Sequence, residues 1–121
     1  IFSLFSSGNV TMAGTLTQNS DARLKKNIAP LDNSLDKILQ VGGYHYQWNE
    51  AYRDQTMQTG LLAQQVETAM PELVSTSAEG TKSVNYSGMI PYLVEAIKEL
   101  KLQNDQLKKE VEELKGRQQQ P

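Results

Sequence analysis

The sequence predicts an α+β fold in which a small mixed domain of short strands and helices is followed by a long C-terminal helix. Short helical and alternating patterns succeed one another between residues 20 and 86, with glycine and proline between them. From residue 87 one apolar repeat of helical spacing continues almost to the end of the sequence. Residues 1–19 are instead rich in serine, threonine and glycine. These observations divide the chain into residues 1–19, 20–86 and 87–121.

Composition limits the classes of function. The 121 residues carry a net charge of −2, so no basic surface dominates and nucleic acid is not expected as a partner. Because the chain has no cysteine and one histidine, we expect no metal and no cofactor. No apolar run approaches the ~20 residues that span a bilayer, so a membrane is not expected either. The opening residues 1–5 lack the basic start of a signal peptide and indicate a segment of a longer polypeptide.

Residues 1–19 show the periodicity of a strand. The residues that alternate with polar or small neighbours are Val10, Met12, Gly14 and Leu16. A single strand cannot bury its apolar face, and we expect no partner strand within this segment. We therefore interpret it as the end of a β-rich region that lies upstream, with residues 17–19 as a connector.

A helix is predicted over residues 35–41. Asn33 or Ser34 is expected to cap it, and Gly42 with Gly43 is expected to end it. A glycine pair can also cradle a phosphate, but no second glycine-rich element follows, so the pattern favours a turn.

Residues 44–48 predict a strand with three aromatic side chains on one face and His45 on the other. A single histidine cannot hold a metal by itself, so we expect His45 to be solvated or hydrogen-bonded. A role beside Ser20 is the alternative. Residues 49–58 are polar and are expected to form a loop.

A second helix and a hairpin are predicted next. Apolar residues recur at every fourth position over residues 62–70, and Pro71 ends the pattern. Glu67 and Glu72 are expected to be surface residues. Residues 73–76 and 82–86 flank Gly80, which is typical of a hairpin turn, and Ser87 is expected to cap the last helix.

The last helix carries a heptad repeat with alternating spacings of three and four. Its members, which we call the seam, are Ile90, Leu93, Ile97, Leu100, Asn104, Leu107, Val111 and Leu114. Such a stripe predicts self-association, because nothing else in the sequence would cover it. β-Branched residues paired with leucine favour dimers, and a buried Asn104 would fix the register. Glu110 and Lys115 flank the seam at positions suited to an ion pair between parallel chains. The end of the chain, from Gly116, is expected to fray.

Residues 20–27 place a hydroxyl close to an amine. Ser20 precedes Lys25 by five residues, and serine with lysine forms a minimal nucleophile–base pair that needs neither histidine nor metal. The base requires a neutral amine, whereas a free lysine, with a pKa of about 10.4, is neutral in roughly one molecule in a thousand near pH 7. Burial and the positive charges of Arg23 and Lys26 would favour the neutral form. Asp21 would oppose it unless it turns toward Arg23.

An alternative interpretation gives Ser20 a structural role. A serine followed by an acidic residue and then by cations is typical of a short helical turn, with the hydroxyl as its cap. Asp21 would then lie near the positive end of the helix dipole. Taken alone, these eight residues favour the cap, because such caps are common.

Three stretches together resemble the intramolecular chaperone domain of phage tail spikes and tail fibres. This is an endosialidase-type C-terminal domain classed as a self-cleaving serine peptidase. The stretches are residues 20–28, residues 60–67 continuing through 71–74, and residues 86–91 continuing to Leu93. The resemblance runs from Ser20 to about Leu114, and the order and spacing of the three stretches make it specific.

The resemblance implies a homotrimer that helps an upstream β-stranded fibre of the same polypeptide to fold and then cuts itself off. The cut would fall between Asn19 and Ser20, with Ser20 and Lys25 as the catalytic dyad. Three further residues match motif positions that would support the dyad: Asp21, Arg23 and Lys26. The family trimerises through its C-terminal helices, so the resemblance implies a parallel trimeric helical bundle where the heptads favour a dimer. It also implies a viral structural precursor that folds in the host cytoplasm.

Two functions of different classes are therefore expected. The first is a self-cleaving trimerisation chaperone, an autocatalytic serine endopeptidase that acts once on its own chain. The second is a structural trimerisation cap of a fibre, without catalysis.

Overall fold

The computed structural model describes residues 2–119, and it confirms a mixed fold with short strands in small sheets and a long C-terminal helix. In chain order the elements are β1 (Phe2–Leu4), β2 (Val10–Met12), α1 (Ser34–Ile38), β3 (Tyr44–Tyr46), β4 (Gln58–Gly60), α2 (Ala63–Ala69), β5 (Val74–Thr76), β6 (Lys82–Val84) and α3 (Met89–Gln118). Single 3₁₀ turns lie at Ala22–Leu24, Pro71–Leu73 and Tyr86–Gly88. The chain forms two compact units. The first is Ile1–Pro30 with Gly43–Gly60, and the second is Leu31–Gly42 with Leu61–Pro121.

In the first unit, β1 and β2 form an antiparallel hairpin. Leu4 pairs with Val10, and the turn between them is closed by the Phe5 N–H, which donates to the Asn9 carbonyl at 2.9 Å. The expectation of a strand without a partner in this segment was therefore wrong. β2 also ends at Met12, earlier than the alternation predicted, because Gly14 adopts a positive φ of 109° that departs from the extended conformation.

The second strand pair of this unit, β3 with β4, is also antiparallel. Tyr44 pairs with Gly60, and His45 lies opposite Thr59, whose hydroxyl is 3.1 Å from the His45 Nδ1 atom. His45 is therefore hydrogen-bonded, as expected. The sequence did not predict β4 because residues 58–60 lack an alternating apolar pattern. On the aromatic face, the Tyr46 and Trp48 rings meet edge to face at 5.1 Å.

The first unit has no buried apolar core among its described side chains. Every buried hydrophobic residue of the described chain belongs to the second unit. The described sheets of the first unit contain two strands each, and such strand pairs are at best marginally stable in water. The described part of this unit therefore lacks the apolar burial that stabilises the second unit.

The core of the second unit forms where α2, the 71–73 turn and the start of α3 meet. Its buried residues are Val66, Met70, Leu73, Met89 and Tyr92. The helix predicted from the apolar pattern over residues 62–70 is confirmed as α2, but only Val66 and Met70 of its stripe are buried. Leu62 stands at the N-terminal boundary of α2 with an extended backbone and is exposed.

Helix α1 is shorter than predicted, and its cap comes from far along the chain. Asn33 precedes it with a φ of 51° and makes no capping bond with its side chain. Instead the Glu99 carboxylate on α3 accepts hydrogen bonds from the backbone N–H of Ser34 at 3.2 Å and of Leu35 at 2.7 Å. Ser34 is completely buried at this contact. The capping role predicted for Asn33 or Ser34 was wrong, since a carboxylate from α3 satisfies these donors.

The predicted hairpin of residues 73–86 is confirmed as β5 and β6. Gly80 occupies the turn with a φ of 89°, a conformation that favours glycine. Glu67 on α2 accepts a hydrogen bond from Lys82 on β6 at 2.9 Å. Glu72 is exposed, as expected, although it accepts a hydrogen bond from Tyr92.

The start of α3 departs from the prediction. The Asn85 side chain accepts from the Gly88 N–H at 3.2 Å and caps the 3₁₀ turn that leads into α3, so Asn85, and not Ser87, is the capping residue. At the other end α3 continues through Gly116 to Gln118, where fraying was expected. The last two residues lie outside the described range.

Helix α3 has one face covered by its own chain and an adjacent face that is uncovered. The covered residues are Met89, Tyr92 and Ala96. All eight seam residues are exposed, and they are Ile90, Leu93, Ile97, Leu100, Asn104, Leu107, Val111 and Leu114. A stripe of this length that is apolar except for Asn104 is typical of an interaction surface. Association through it stays a prediction.

The buried phenol of Tyr92 makes the stability of the second unit sensitive to alkaline pH. Tyr92 is 4% exposed, and its hydroxyl donates to Glu72. Burial, reinforced by that hydrogen bond, raises the pKa of Tyr92 to about 12. The unfolded chain releases this proton at about pH 10, so the stabilisation is complete below that pH and is lost as the pH rises through about 12.

We expect the unfolding free energy of the wild type to fall by up to roughly 3 kcal/mol more than that of Tyr92→Phe between about pH 10 and about pH 12. Urea unfolding at a series of pH values measures this difference. The same alkaline loss in both proteins would contradict the assignment to Tyr92.

Candidate active site

The candidate site lies in the first unit, on the 3₁₀ turn Ala22–Leu24. Asp21 caps this turn, because its carboxylate accepts from the Arg23 backbone N–H at 2.9 Å. The Lys25 N–H closes the turn by donating to the Ala22 carbonyl at 3.1 Å. The alternative that makes Ser20 the cap was therefore wrong.

The turn brings the Ser20 hydroxyl and the Lys25 amine together. The Lys25 Nζ atom donates a hydrogen bond to the Ser20 Oγ atom, and the two atoms are 2.9 Å apart. Five residues separate the two side chains in sequence, and the compact turn between them allows the contact. A nucleophile and a base within hydrogen-bond distance are the geometric requirement for covalent catalysis.

Asp21 is engaged by Arg23. The Arg23 Nε atom lies 3.1 Å from each Asp21 carboxylate oxygen, and Nη2 lies 2.7 Å from Oδ2. These hydrogen bonds lower the pKa of Asp21 and raise the pKa of Arg23. Asp21 therefore turns toward Arg23, which is the arrangement in which it opposes a neutral Lys25 least. The Asp21 carboxylate balances the positive charge of Arg23 in this ion pair. Lys26, which is next to Lys25 in sequence, lies outside the pair.

The whole segment is open to solvent. Asn19, Ser20 and every residue from 21 to 30 are exposed. The Ser20 and Lys25 side chains therefore meet in a segment that is open to water. The single chain thus brings the Ser20 hydroxyl and the Lys25 amine into contact but leaves this contact exposed to water.

Two apolar residues of this segment were not singled out by the sequence patterns. Leu24 and Ile28 are large and exposed, and in the sequence they flank Lys25 and Lys26. The sequence could have pointed to them only as two aliphatic residues within an otherwise charged motif. Their spacing matches neither a helical nor a strand periodicity.

Residues 2–119 contain no group of three or more His, Cys, Asp or Glu side chains placed to hold a metal ion. Within the same range, no helix has the length and apolar character needed to cross a membrane.

Comparison with known proteins gives a family and several relatives. A sequence model of a peptidase family described as chaperone of endosialidase matches residues 20–75. The chain is 34% identical over 116 residues to the long tail fiber protein Gp37 of Salmonella phage S16, covering 89% of this chain and 16% of that protein. Proteins of the same name from two other phages match over 87 residues. The one from Escherichia phage AR1 is 34% identical over 66% of this chain and 8% of that protein. The one from Enterobacteria phage T2 is 36% identical over 67% of this chain and 6% of that protein.

The chain thus spans less than a fifth of the length of these relatives. The family match begins at Ser20 and includes the whole turn that joins Ser20 to Lys25.

Proposed function

Because this chain belongs to the chaperone of endosialidase family, we propose that it is an intramolecular chaperone of a phage tail fibre or tail spike. In this proposal it promotes trimerisation and folding of an upstream β-stranded stem of the same polypeptide. It then releases itself by cutting its own chain between Asn19 and Ser20. Residues 1–19 are the end of the stem, residues 20–86 the self-cleaving domain and residues 87–121 the helix of the trimeric bundle. The precursor is a viral structural protein that folds in the host cytoplasm.

The hydrogen bond between Ser20 and Lys25 is the observation that carries the catalytic part of the proposal. In the described geometry the Lys25 ammonium donates to the hydroxyl. As a base, the neutral amine takes the hydroxyl proton along the same line. Asp21 is held by Arg23 and does not compete for the amine in this arrangement.

The reaction proceeds in two steps. Ser20 Oγ attacks the carbonyl carbon of Asn19, to which it is already linked through the peptide bond, and an oxygen–carbon bond forms. Lys25 accepts the hydroxyl proton and returns it to the Ser20 nitrogen as the carbon–nitrogen bond breaks, which converts the amide into an ester. Water then hydrolyses the ester, leaving a carboxylate on Asn19 and a free hydroxyl and amine on Ser20. Proximity is built into the chain, so the fold must supply a neutral amine and donors for the oxyanion.

The exposed seam on α3 supports the trimerisation part of the proposal. The uncovered apolar residues lie beside the face that packs on the chain's own core, so a second and a third helix can cover the seam without disturbing that core. Asn104 in the seam fixes the register, and Glu110 pairs with Lys115 of a neighbouring helix.

Replacement of the amine tests the catalytic proposal. In Lys25→Met the base is lost, and we expect the rate of chain cleavage to fall about 10²- to 10⁴-fold, the usual contribution of a general base. Lys109→Met is the matched control, because it removes an exposed cation of α3 that lies outside both the segment and the seam, and it should cleave like the wild type. Denaturing gels and intact mass after timed incubation measure the cut fraction. Cleavage of Lys25→Met at the rate of Lys109→Met would reject the dyad.

A structural trimerisation cap without catalysis is the second candidate. The observation that favours it is the exposure of Ser20 and Lys25, which leaves the amine in water in a single chain. This candidate predicts an assembled wild-type protein that stays intact at Asn19 and Ser20, and the same gels separate the two functions.

A further inference from the structure

Asn19 carries a second nucleophile for the carbonyl carbon at which the chain is proposed to be cut. Its side-chain nitrogen, Nδ2, is linked to its own carbonyl carbon through Cγ, Cβ and Cα, so attack on that carbon closes a five-membered ring. The Ser20 Oγ atom attacks the same carbon in the proposed reaction. Well-oriented nucleophiles within one molecule act at effective molarities of about 10⁵–10⁸ M. The Asn19 carboxamide is therefore a competitor of water at this carbon.

The Asn19 side chain is able to reach this position. Residues 13–30 are all exposed. Within residues 2–119, no group is hydrogen-bonded to the Asn19 carboxamide. No described contact therefore holds Nδ2 away from the carbonyl carbon, and rotation between staggered side-chain conformers is enough to bring the two together.

The Asn19 carboxamide suits the second step of the reaction and not the first. Resonance with its own carbonyl makes an amide nitrogen a weak nucleophile, so it attacks an ester far more readily than a peptide bond. The proposed first step supplies this ester by moving the Asn19 carbonyl carbon from the Ser20 nitrogen to Oγ. The freed Ser20 amine can take the carbonyl carbon back and restore the peptide bond. A rapid second step is therefore needed to make the cut permanent.

The groups around Ser20 can carry the protons of such a step. Lys25 Nζ lies 2.9 Å from Ser20 Oγ, the atom that leaves when the ester breaks, and donates to it. Asp21, the only carboxylate among residues 20–30, is held by Arg23 at 2.7–3.1 Å, and these hydrogen bonds lower its pKa. The new amine of Ser20 is a better base, because an α-amino group has a pKa of about 7.7–8.0 and is partly neutral near pH 7.

We propose that Asn19 is a further catalytic residue, whose carboxamide nitrogen displaces Ser20 Oγ from the ester and closes a C-terminal succinimide. This inference rests on the proposed cleavage. The bond from Nδ2 to the carbonyl carbon forms and the bond from that carbon to Oγ breaks. Oγ takes a proton from Lys25, and Nδ2 gives a proton to the Ser20 amine. Water opens the ring afterwards at either of its carbonyls, so the overall reaction is still a hydrolysis.

The mass of the part that ends at residue 19 tests this proposal. When freshly cut wild-type protein is acidified at once, we expect this part to be mainly the succinimide, which is lighter by one water than the product of direct hydrolysis. On standing it should gain water and give two isomers, with the carboxylate on the main chain or on the side chain of residue 19. Synthetic peptides of residues 1–19 identify these isomers by chromatography. A part that contains the added water from the first time point, with a main-chain carboxylate only, would overturn the proposal.

Substitutions of Asn19 provide the second measurement. Asn19→Ala removes the nucleophile, and Asn19→Gln keeps a carboxamide that would have to close a larger ring. Both are expected to slow cleavage by about tenfold or more and to yield only the directly hydrolysed part. Gln18→Ala is the matched control, because it removes the neighbouring exposed carboxamide, which cannot close this ring, and it should cut like the wild type. Cleavage of Asn19→Ala at the rate of Gln18→Ala would also overturn the proposal.

The outcomes separate this inference from the proposed function. Wild-type protein that stays intact would reject the proposed cleavage, and this step with it. Wild-type protein that cuts but yields only the directly hydrolysed part would reject the inference alone and leave Ser20 and Lys25 in their roles. A succinimide formed in Ser20→Ala would show that Asn19 attacks the peptide bond itself, which would reject the ester on which both proposals depend.

Discussion

A chain that carries Ser20→Ala is expected to remain one polypeptide under denaturing conditions, whereas the wild type separates into a part ending at Asn19 and a part beginning at Ser20. Alanine removes the only atom of residue 20 that can attack the Asn19 carbonyl, so the intramolecular route to the ester is lost entirely. Cleavage should fall below detection over days. Denaturing gels and intact mass of both parts are the measurement.

The control for this substitution is Ser87→Ala. Ser87 is exposed and does not cap α3, so its replacement should leave both the fold and the cleavage rate unchanged. Ser20→Ala should also assemble and unfold like the wild type, because Asp21 caps the turn without help from the serine. Appearance of the shorter part in Ser20→Ala would show that another group cuts the chain.

The second large effect is expected from the seam. Leu100→Asp with Leu107→Asp places two carboxylates per chain in a surface that association would bury. Each substitution loses the burial of a leucine, about 1.5–3 kcal/mol, and adds the larger cost of an unpaired buried charge. We expect the protein to become monomeric at micromolar concentration and its cleavage to stop, because in the proposed function the chain cuts itself only after it has trimerised. Light scattering gives the mass, and denaturing gels give the cut fraction.

Leu102→Asp is the control for the seam. Leu102 lies two residues from Leu100 on the same helix, is similarly exposed and stands outside the heptad positions. It should leave both mass and cleavage unchanged. Monomers of the double variant that cut at the wild-type rate would reject the dependence of cleavage on assembly.

Local sequence patterns predicted the elements whose stability comes from periodic burial. Helix α2 follows from Val66 and Met70, which are four residues apart and fully buried. The hairpin β5–β6 follows from two short runs around Gly80, whose positive φ the turn requires. The length of α3 follows from a repeat that one chain leaves uncovered. In each case the signal lies within a few residues of the element that it predicts.

The features that the sequence did not predict are held by contacts over longer distances or by less obvious caps. Strand β4 has no apolar pattern and exists because it pairs with β3. The cap of α1 comes from Glu99, which lies 65 residues beyond Ser34. Ser87 looked like a helix cap by residue type, but Asn85 occupies the position from which a side chain reaches the Gly88 N–H.

The candidate site could be predicted only in part. The residue types and their spacing identified Ser20 and Lys25, but a separation of five residues does not by itself bring two side chains together. Their contact depends on the turn that Asp21 caps, while the sequence had suggested Ser20 for that cap. The exposure of Leu24 and Ile28 could not be predicted, because neither residue lies in a helical or strand period.

The distant cap of α1 also determines when this helix can be completed during synthesis of the chain. Ser34 is synthesised 65 residues before Glu99. At a translation rate of about 5–20 residues per second, the interval between them is about 3–13 s. During that interval the Glu99 carboxylate is not there to accept hydrogen bonds from the first turn of α1, so this part of the domain stays unfinished until the middle of α3 has been made. A domain in which a later helix completes an earlier one cannot finish folding before that later helix has been synthesised.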